Sequence, residues 1–206
     1  MPFSVHVLDT YVAPGLSGFA DADILDLRGE FSQAEHWQAN YHLNSLLRGS
    51  FTDGFRQLAL GFIRRVQYAF AAYHAARDAT LDYLSRTANG EQPLRLYWTA
   101  VHEWEAFVLD MQMATILYRK LADNTVVFEK GDGSSAQQLY DAANDVKHPN
   151  ERLVEGTLPL WVLADGLHTV SDILVGYGDA AEMLRQMAHI AAKLQDPQTL
   201  MSDATS

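Results

Sequence analysis

The 206-residue chain contains no cysteine. This absence excludes disulfide bonds, thiolate zinc sites and cysteine nucleophiles. Basic residues are also scarce, because 15 Lys and Arg stand against 26 Asp and Glu, giving a formal net charge of −11. A surface this negative repels phosphate groups, so general binding of nucleic acid is not expected.

Long apolar runs and catalytic signatures are missing as well. No apolar run approaches the roughly 18 residues of a membrane-spanning helix, so we expect no contact with a membrane. Residues 1–10 lack the basic and apolar regions of a secretory signal, which favours a cytoplasmic protein. The chain has no P-loop, Rossmann glycine fingerprint, Gly-x-Ser-x-Gly elbow or His-Glu-x-x-His motif, and no cofactor or metal is predicted.

Apolar residues make up 48% of the chain and charged residues 20%, which is typical of a globular protein of one domain. We predict an irregular N-terminal arm over residues 1–30, a single helical-bundle domain over 31–196 and a flexible tail over 197–206. Residues 4–8 alternate as a short strand does. The arm is expected to lie on the body through five apolar anchors: Phe3, Tyr11, Phe19, Ile24 and Leu27.

Helical periodicity dominates the rest of the sequence. Apolar residues recur every three or four positions over about 52–86, and again from Pro93 to about residue 121, which predicts two long helices. Shorter helices are predicted from a capping box at Ser32, over 134–148, and over about 178–195. Asp165-Gly166 is a strong turn signal. The fold class is therefore mainly α: an up-and-down helical bundle with two long helices and a small β-hairpin near 158–170.

The segment 140–152 gathers polar groups at the end of a predicted helix. The candidate ligand-binding residues there are Asn144, Lys147, His148 and Arg152. A helix end of this kind can bind an anion or orient a histidine. The alternative is that Lys147 and His148 only satisfy the last carbonyl groups of the helix.

The sequence Ala-Ala-Asn-Asp-Val-Lys-His over 142–148 resembles the segment of HEPN-superfamily helical proteins that carries an Arg-Asn…His motif. Asn144 and His148 match the motif, and Ala143 stands at the position of its arginine. The resemblance extends in pattern over about residues 33–150. It implies a bundle of about four or five helices that is usually dimeric.

Active members of that family are metal-independent ribonucleases with arginine and histidine at the cleft, and many others bind proteins or nucleotides without catalysis. Since the motif arginine is absent, the resemblance implies a non-catalytic binding or regulatory protein with a protein or small-ligand partner. A HEPN-type ribonuclease is the alternative.

Weaker candidates lie on the second long helix. Arg95 and His102 share one helical face. His102 and Glu105 have the spacing of metal ligands on a bundle helix, but a di-metal site needs carboxylates from further helices, and that set is incomplete. A metal-dependent bundle enzyme is therefore the least favoured function.

The two long helices carry more apolar residues than one core requires. These are Leu58, Tyr68, Phe70, Trp98, Phe107, Leu109, Ile116 and Leu117. Large exposed apolar patches mark interfaces, and two-fold pairing is the commonest form of assembly, so we predict a homodimer. The alternative is that the arm and the hairpin cover these side chains.

Overall fold

The computed structural model describes residues 3–48, 53–148 and 158–195. It is mainly helical, as the sequence predicts. The helices are α1 (Val5–Tyr11), α2 (Trp37–Arg48), α3 (Asp53–Ala88), α4 (Leu94–Leu121), α5 (Ser135–Lys147) and α6 (Tyr177–Gln195). The strands are β1 (Leu160–Val162), β2 (Gly166–Thr169) and β3 (Leu174–Gly176). The predicted tail over 197–206 lies outside the described residues.

The long helices α3 and α4 form an antiparallel pair at the centre of the molecule. Three contacts between rings give the direction: Phe62 with Tyr118, Tyr73 with Trp104 and Tyr83 with Tyr97. Most of the apolar positions predicted from the period of three and four are buried on both helices, and those near the helix ends, such as Phe55 and Leu121, are partly buried. The two long predicted helices are thereby confirmed.

The predicted boundaries of α5 are confirmed. The Ser134 hydroxyl accepts a hydrogen bond from the N–H of Gln137 at 3.2 Å, while the Gln137 side chain accepts from the N–H of Gly133 at 2.8 Å. His148 closes the helix, its N–H donating to the carbonyl of Asn144 at 2.8 Å. Local capping chemistry was enough to place both ends.

The start of α2 lies later than the capping box at Ser32 predicts. A 3₁₀ turn over Ala34–His36 precedes the α-helix, which begins at Trp37. Phe31 is buried and packs edge-to-face on Trp37, with ring centroids 5.9 Å apart. Tight turns of this kind are common where an α-helix begins.

The predicted hairpin is part of a three-stranded antiparallel sheet in the order β1-β2-β3. Trp161 pairs with His168 across the first turn, and Leu167 pairs with Val175 across the second. Gly166 has a φ of +152°, and a Cβ there would lie 2.3 Å from the Val175 carbonyl oxygen. Only glycine permits this close approach of two strands.

The alternation over residues 4–8 does not produce a strand, and part of the predicted irregular arm is helical. Residues 5–8 belong to α1, which begins where the Ser4 hydroxyl accepts a hydrogen bond from the N–H of Val7. The N-cap outweighs an alternation that is only five residues long. No residue of α1 is buried.

Three of the five predicted anchors, Phe19, Ile24 and Leu27, are buried, and they attach the arm to the core. The other two, Phe3 and Tyr11, are 50% and 72% exposed, so their assignment as anchors is wrong. Phe3 lies just before the exposed helix α1 and Tyr11 is its last residue, and these positions keep both side chains away from the core. Within the described residues, no helix combines the length and the apolar character that a membrane span requires.

Candidate functional site

The predicted site residues Asn144 and Lys147 meet at the junction of α4 and α5. Gln112, which is 1% exposed, donates hydrogen bonds to the Tyr140 carbonyl at 2.9 Å and to Asn144 Oδ1 at 2.8 Å. The Lys147 ammonium group donates to Gln112 Oε1. These bonds join two helices, so both predicted residues have a structural partner in this chain.

Of the remaining residues of the predicted segment, the structure describes His148 and the position of the motif arginine. His148 is exposed at the end of α5, and Arg152 lies outside the described residues. Ala143, at the position of the motif arginine, is fully buried in the core. The structure therefore does not bring an arginine to His148 within the described residues.

The weaker candidates on α4 lie at its surface. Arg95 and His102 are exposed, and Glu105 is half-buried. Burial raises the pKa of Glu105, and the nearby His102 opposes that rise. In residues 3–48, 53–148 and 158–195, no group of three or more histidine and carboxylate side chains is arranged to hold a metal ion.

A cavity that the sequence did not predict lies between α3 and the N-terminal arm. Its volume is about 520 Å³, and it opens to solvent. Its lining comes from the arm, the turn before α2 and one face of α3: Arg28, Phe31, Ser32, Ala34, Glu35, Gln67, Tyr68, Phe70, Ala71 and His74. Cavities of this size commonly hold small molecules.

His74 is the unusual member of this lining. The residue is 6% exposed, and neither ring nitrogen has a hydrogen-bond partner. Its ring packs edge-on against Phe70 and Tyr73, with centroids 4.6 Å and 5.1 Å away, and its Nδ1 lies 3.7 Å from Asp26 Oδ1. Burial, reinforced by the charge of Arg28, lowers the pKa of His74 to about 4, so the ring is neutral at pH 7.

The charged groups beside His74 neutralise one another. The Arg28 guanidinium lies 2.6 Å from an oxygen of Asp26 and 2.9 Å from one of Asp78. Arg77 lies 3.1 Å from Asp78 and 3.6 Å from Asp26. The hydrogen bonds from Arg28 hold the pKa of Asp26 well below its usual range. The result is a balanced ion cluster that joins the arm to α3.

Other polar groups of the cavity also have partners. The Gln67 amide accepts from the N–H of Gln38 at 2.9 Å and donates to the Glu35 carbonyl at 3.0 Å. Glu35 itself lies 3.2 Å from the His36 ring. Within the described residues, the lining side chains that form no hydrogen bond include the His74 ring, the hydroxyls of Ser32 and Tyr68 and the exposed carboxylate of Glu35.

Sequence reasoning missed the cavity because its walls come from segments about 40 residues apart. One sequence signal was available: His74 lies in the buried stretch of α3 between Tyr73 and Ala76, where the apolar period leaves little room for a polar residue. A second cavity, of about 450 Å³, is lined by the predicted site residue Asn144 together with Arg119 and Lys130. Both of these cations are exposed.

Comparisons with protein-family models, with curated proteins and with solved structures returned no match for this chain. Its function must therefore be inferred from the geometry of its own side chains.

Proposed function

We propose that this chain is a non-catalytic binding protein on a HEPN-like helical bundle, and that a small ligand occupies the cavity beside His74. One observation carries the proposal: the cavity lining contains the buried imidazole of His74, which has no hydrogen-bond partner. A buried polar group without a partner is destabilising by about 1–3 kcal/mol, so such groups are rare in folded proteins. Both ring nitrogens are closed to solvent in this structure, so a ligand removes this penalty only if the lining shifts and lets it bond to the ring.

The surroundings of His74 support binding rather than catalysis. Nucleophilic catalysis by a hydroxyl requires an activating base within hydrogen-bonding distance of that hydroxyl. In the described lining, neither Ser32 nor Tyr68 is hydrogen-bonded to His74, and Arg28 is paired with two carboxylates. The lining therefore offers an apolar shape, the hydroxyls of Ser32 and Tyr68 and the exposed carboxylate of Glu35.

The HEPN-like part of the proposal is supported by the order of the elements. Two long helices precede α5, and α5 ends with Asn144 and His148. A ribonuclease is less supported, because Gln112 already binds Asn144 and Lys147. Incubation of the protein with RNA tests this alternative. We expect that the unmodified protein and His148→Ala do not differ in RNA cleavage. Cleavage that depends on His148 would favour the ribonuclease.

A cavity-filling variant tests ligand binding. Ala71 is exposed on α3 and lines the cavity, so Ala71→Trp should fill the cavity without disturbing the core. Ala88→Trp is the control, because Ala88 is exposed at the other end of the same helix and lies outside the lining. The readout is ligand-observed NMR with a panel of neutral, anionic and cationic small aromatic molecules.

We expect at least one panel member to bind the unmodified protein and Ala88→Trp, and to lose binding to Ala71→Trp. The proposal is overturned if no panel member binds, or if binding is unchanged in Ala71→Trp.

We also propose a homodimer, as the family resemblance implies. The chain itself uses part of the predicted apolar surplus, because Phe70 and Phe107 are buried in the core. Tyr68 and Trp98 remain 47% and 38% exposed. Light scattering at micromolar concentration is expected to give the mass of two chains, and the mass of one chain would reject the dimer.

A further inference from the structure

We infer that two copies of this chain pair through the outer side of α4, with the two helices antiparallel across a two-fold axis. This inference rests on the proposed homodimer and names the surface through which the dimer forms. The surface consists of Trp98, His102, Glu105 and Leu109, which we call the α4 stripe. Three features carry the inference: the position of the stripe, its spacing and its central polar pair.

The α4 stripe lies on the outer side of the helix, beside its contacts with α3, α5 and β1. Trp98 is 38% exposed, His102 is exposed, and Glu105 and Leu109 are half-buried. At the next position of the same spacing, Gln112 is buried and hydrogen-bonded to α5, so the stripe ends there. The open part is roughly 16 Å long, at about 1.5 Å per residue. Aromatic residues exposed in this way are enriched at interfaces between proteins.

The spacing of the stripe is the same when it is read in either direction. Its members follow one another at intervals of four, three and four residues, which is the pattern of the contact seam between two coiled helices. In an antiparallel pair, Trp98 therefore faces Leu109 of the partner subunit, and His102 faces Glu105 of the partner subunit. Both pairs have the same midpoint, between positions 103 and 104. A two-fold contact requires a surface that is complementary to itself in this way.

The central polar pair decides the direction of the two helices. Burial raises the pKa of Glu105, and no hydrogen bond within the described residues opposes that rise. In an antiparallel pair, the ring of the partner subunit's His102 can donate a hydrogen bond to this carboxylate, and symmetry repeats the bond on the other copy. In a parallel pair the two Glu105 carboxylates would face each other, which is unfavourable. The polar pair therefore favours the antiparallel arrangement.

Two charge variants that complement each other test this pairing. His102→Glu places a second carboxylate opposite the partner subunit's Glu105, and Glu105→Lys removes the acceptor of the partner subunit's His102. Analytical ultracentrifugation at pH 7 should give each variant alone a dimer dissociation constant at least about tenfold above that of the unmodified protein. In an equimolar mixture, with one variant carrying a fluorescent label, the two should form a heterodimer within about threefold of the unmodified affinity, because opposite charges then face each other.

Trp98→Arg tests the apolar ends of the stripe. It should raise the dissociation constant about thirtyfold or more, the loss that is typical of a central aromatic residue at an interface. Tyr68→Arg is its matched control, because Tyr68 is a 47% exposed aromatic residue on α3, and it should leave the dimer intact. His42→Glu, at an exposed histidine of α2, is the control for His102→Glu. Circular dichroism checks that each variant is folded.

The absence of cysteine from the chain allows a direct test of the register that does not depend on the charge variants. An equimolar mixture of His102→Cys and Glu105→Cys is oxidised under mild conditions. A disulfide should join position 102 of one chain to position 105 of the other, because these positions face each other and a disulfide bridges only neighbouring side chains. Either variant alone should form far less cross-linked dimer.

The inference is overturned if Trp98→Arg leaves the dimer intact, if the mixed charge variants pair no better than either alone, or if each cysteine variant cross-links alone as well as in the mixture. The proposed homodimer survives these outcomes, because the unmodified protein still has the mass of two chains. If the unmodified protein has the mass of one chain at micromolar concentration, both fail. Ligand binding in the cavity beside His74 is measured separately with Ala71→Trp and is not affected by either result.

Discussion

The Tyr97 hydroxyl on α4 is hydrogen-bonded to both backbone groups of Val162 in β1. It accepts from the Val162 N–H at 3.2 Å and donates to the Val162 carbonyl at 3.3 Å. β1 is an edge strand, so one row of its backbone groups has no neighbouring strand to pair with. Tyr97 acts as that missing partner and joins the sheet to the helical core. Its burial raises its pKa well above the usual range.

Tyr97→Phe is expected to lower the free energy of unfolding by roughly 2–4 kcal/mol, because two buried backbone groups lose their partner. Urea denaturation measures this change. Tyr68→Phe is the matched control, since the Tyr68 ring is exposed, and its effect should stay within about 0.5 kcal/mol. Equal effects of the two substitutions would contradict the role assigned to Tyr97.

The attachment of the arm can be tested with two leucines that are two residues apart. Leu27 is fully buried and Leu25 is 44% exposed. Leu27→Ala should destabilise the protein by about 2–5 kcal/mol through the cavity that it leaves. Leu25→Ala should have an effect below about 0.5 kcal/mol, because the bond from the Tyr73 hydroxyl goes to the Leu25 backbone carbonyl. Chemical denaturation of both variants checks this, and a small effect of Leu27→Ala would show that the arm does not contribute to the core.

His74 makes the stability depend on pH in the acidic range. The groups around its ring are Asp26 and Arg28 on the arm and Arg77 and Asp78 on α3. The pKa of His74 is about 4 in the folded state, against 6.5 for the free side chain. The folded state therefore binds fewer protons than the unfolded state, so stability is complete above pH 6.5 and falls as the pH drops toward 4. The loss reaches about 3 kcal/mol once the pH is below 4.

This contribution is measured as the difference in unfolding free energy between the unmodified protein and His74→Gln at several pH values from 7.5 to 3.5. The stability of His74→Gln relative to the unmodified protein should rise as the pH falls. His148→Gln, measured in parallel, is the control for the same substitution at an exposed histidine. A pH-independent difference for His74→Gln would contradict a buried neutral ring.

Gly166 should not tolerate a side chain. Its φ of +152° is strained for any other residue, and a Cβ at this position would lie 2.3 Å from the Val175 carbonyl oxygen and force β2 and β3 apart. Gly166→Ala is expected to destabilise by roughly 2–4 kcal/mol. Gly178→Ala is the control, since no atom lies within 4 Å of a Cβ there, and it should be neutral or stabilising by up to about 0.5 kcal/mol. Thermal unfolding of the two variants should separate them clearly.

Much of the helical fold could be predicted because its signals are local. The period of α3 and α4 and the caps at Ser134 and His148 each depend on residues a few positions apart. The strand β3 was missed because its three residues show no alternation and no turn signal such as Asp165-Gly166 precedes them. The helix α1 was missed because one capping serine decided the structure of a short segment.

The candidate sites depend on contacts between residues that are far apart in the sequence. Their arrangement could therefore not be predicted as the helices were. Asn144 and Lys147 are close together, as the sequence predicts, but their common partner is Gln112 on another helix. The environment of His74 depends on Asp26 and Arg28, almost 50 positions away. No local pattern contains that information.

The last described helix, α6, bonds to residues near the beginning of the chain. Arg185 lies 2.8 Å from Glu30, and the Asn40 and Asn44 side chains donate to Gln195. During synthesis on a ribosome, the arm and α2 emerge long before these partners do. Until α6 leaves the exit tunnel, the surface that this helix covers in the folded protein stays open to solvent. The residues of α6 that cover it include Ala180, Leu184, Ala188 and Ala191, all of which are buried. The nascent chain therefore completes this core only after α6 has left the ribosome, and ribosomes stalled before α6 should present an apolar surface to chaperones.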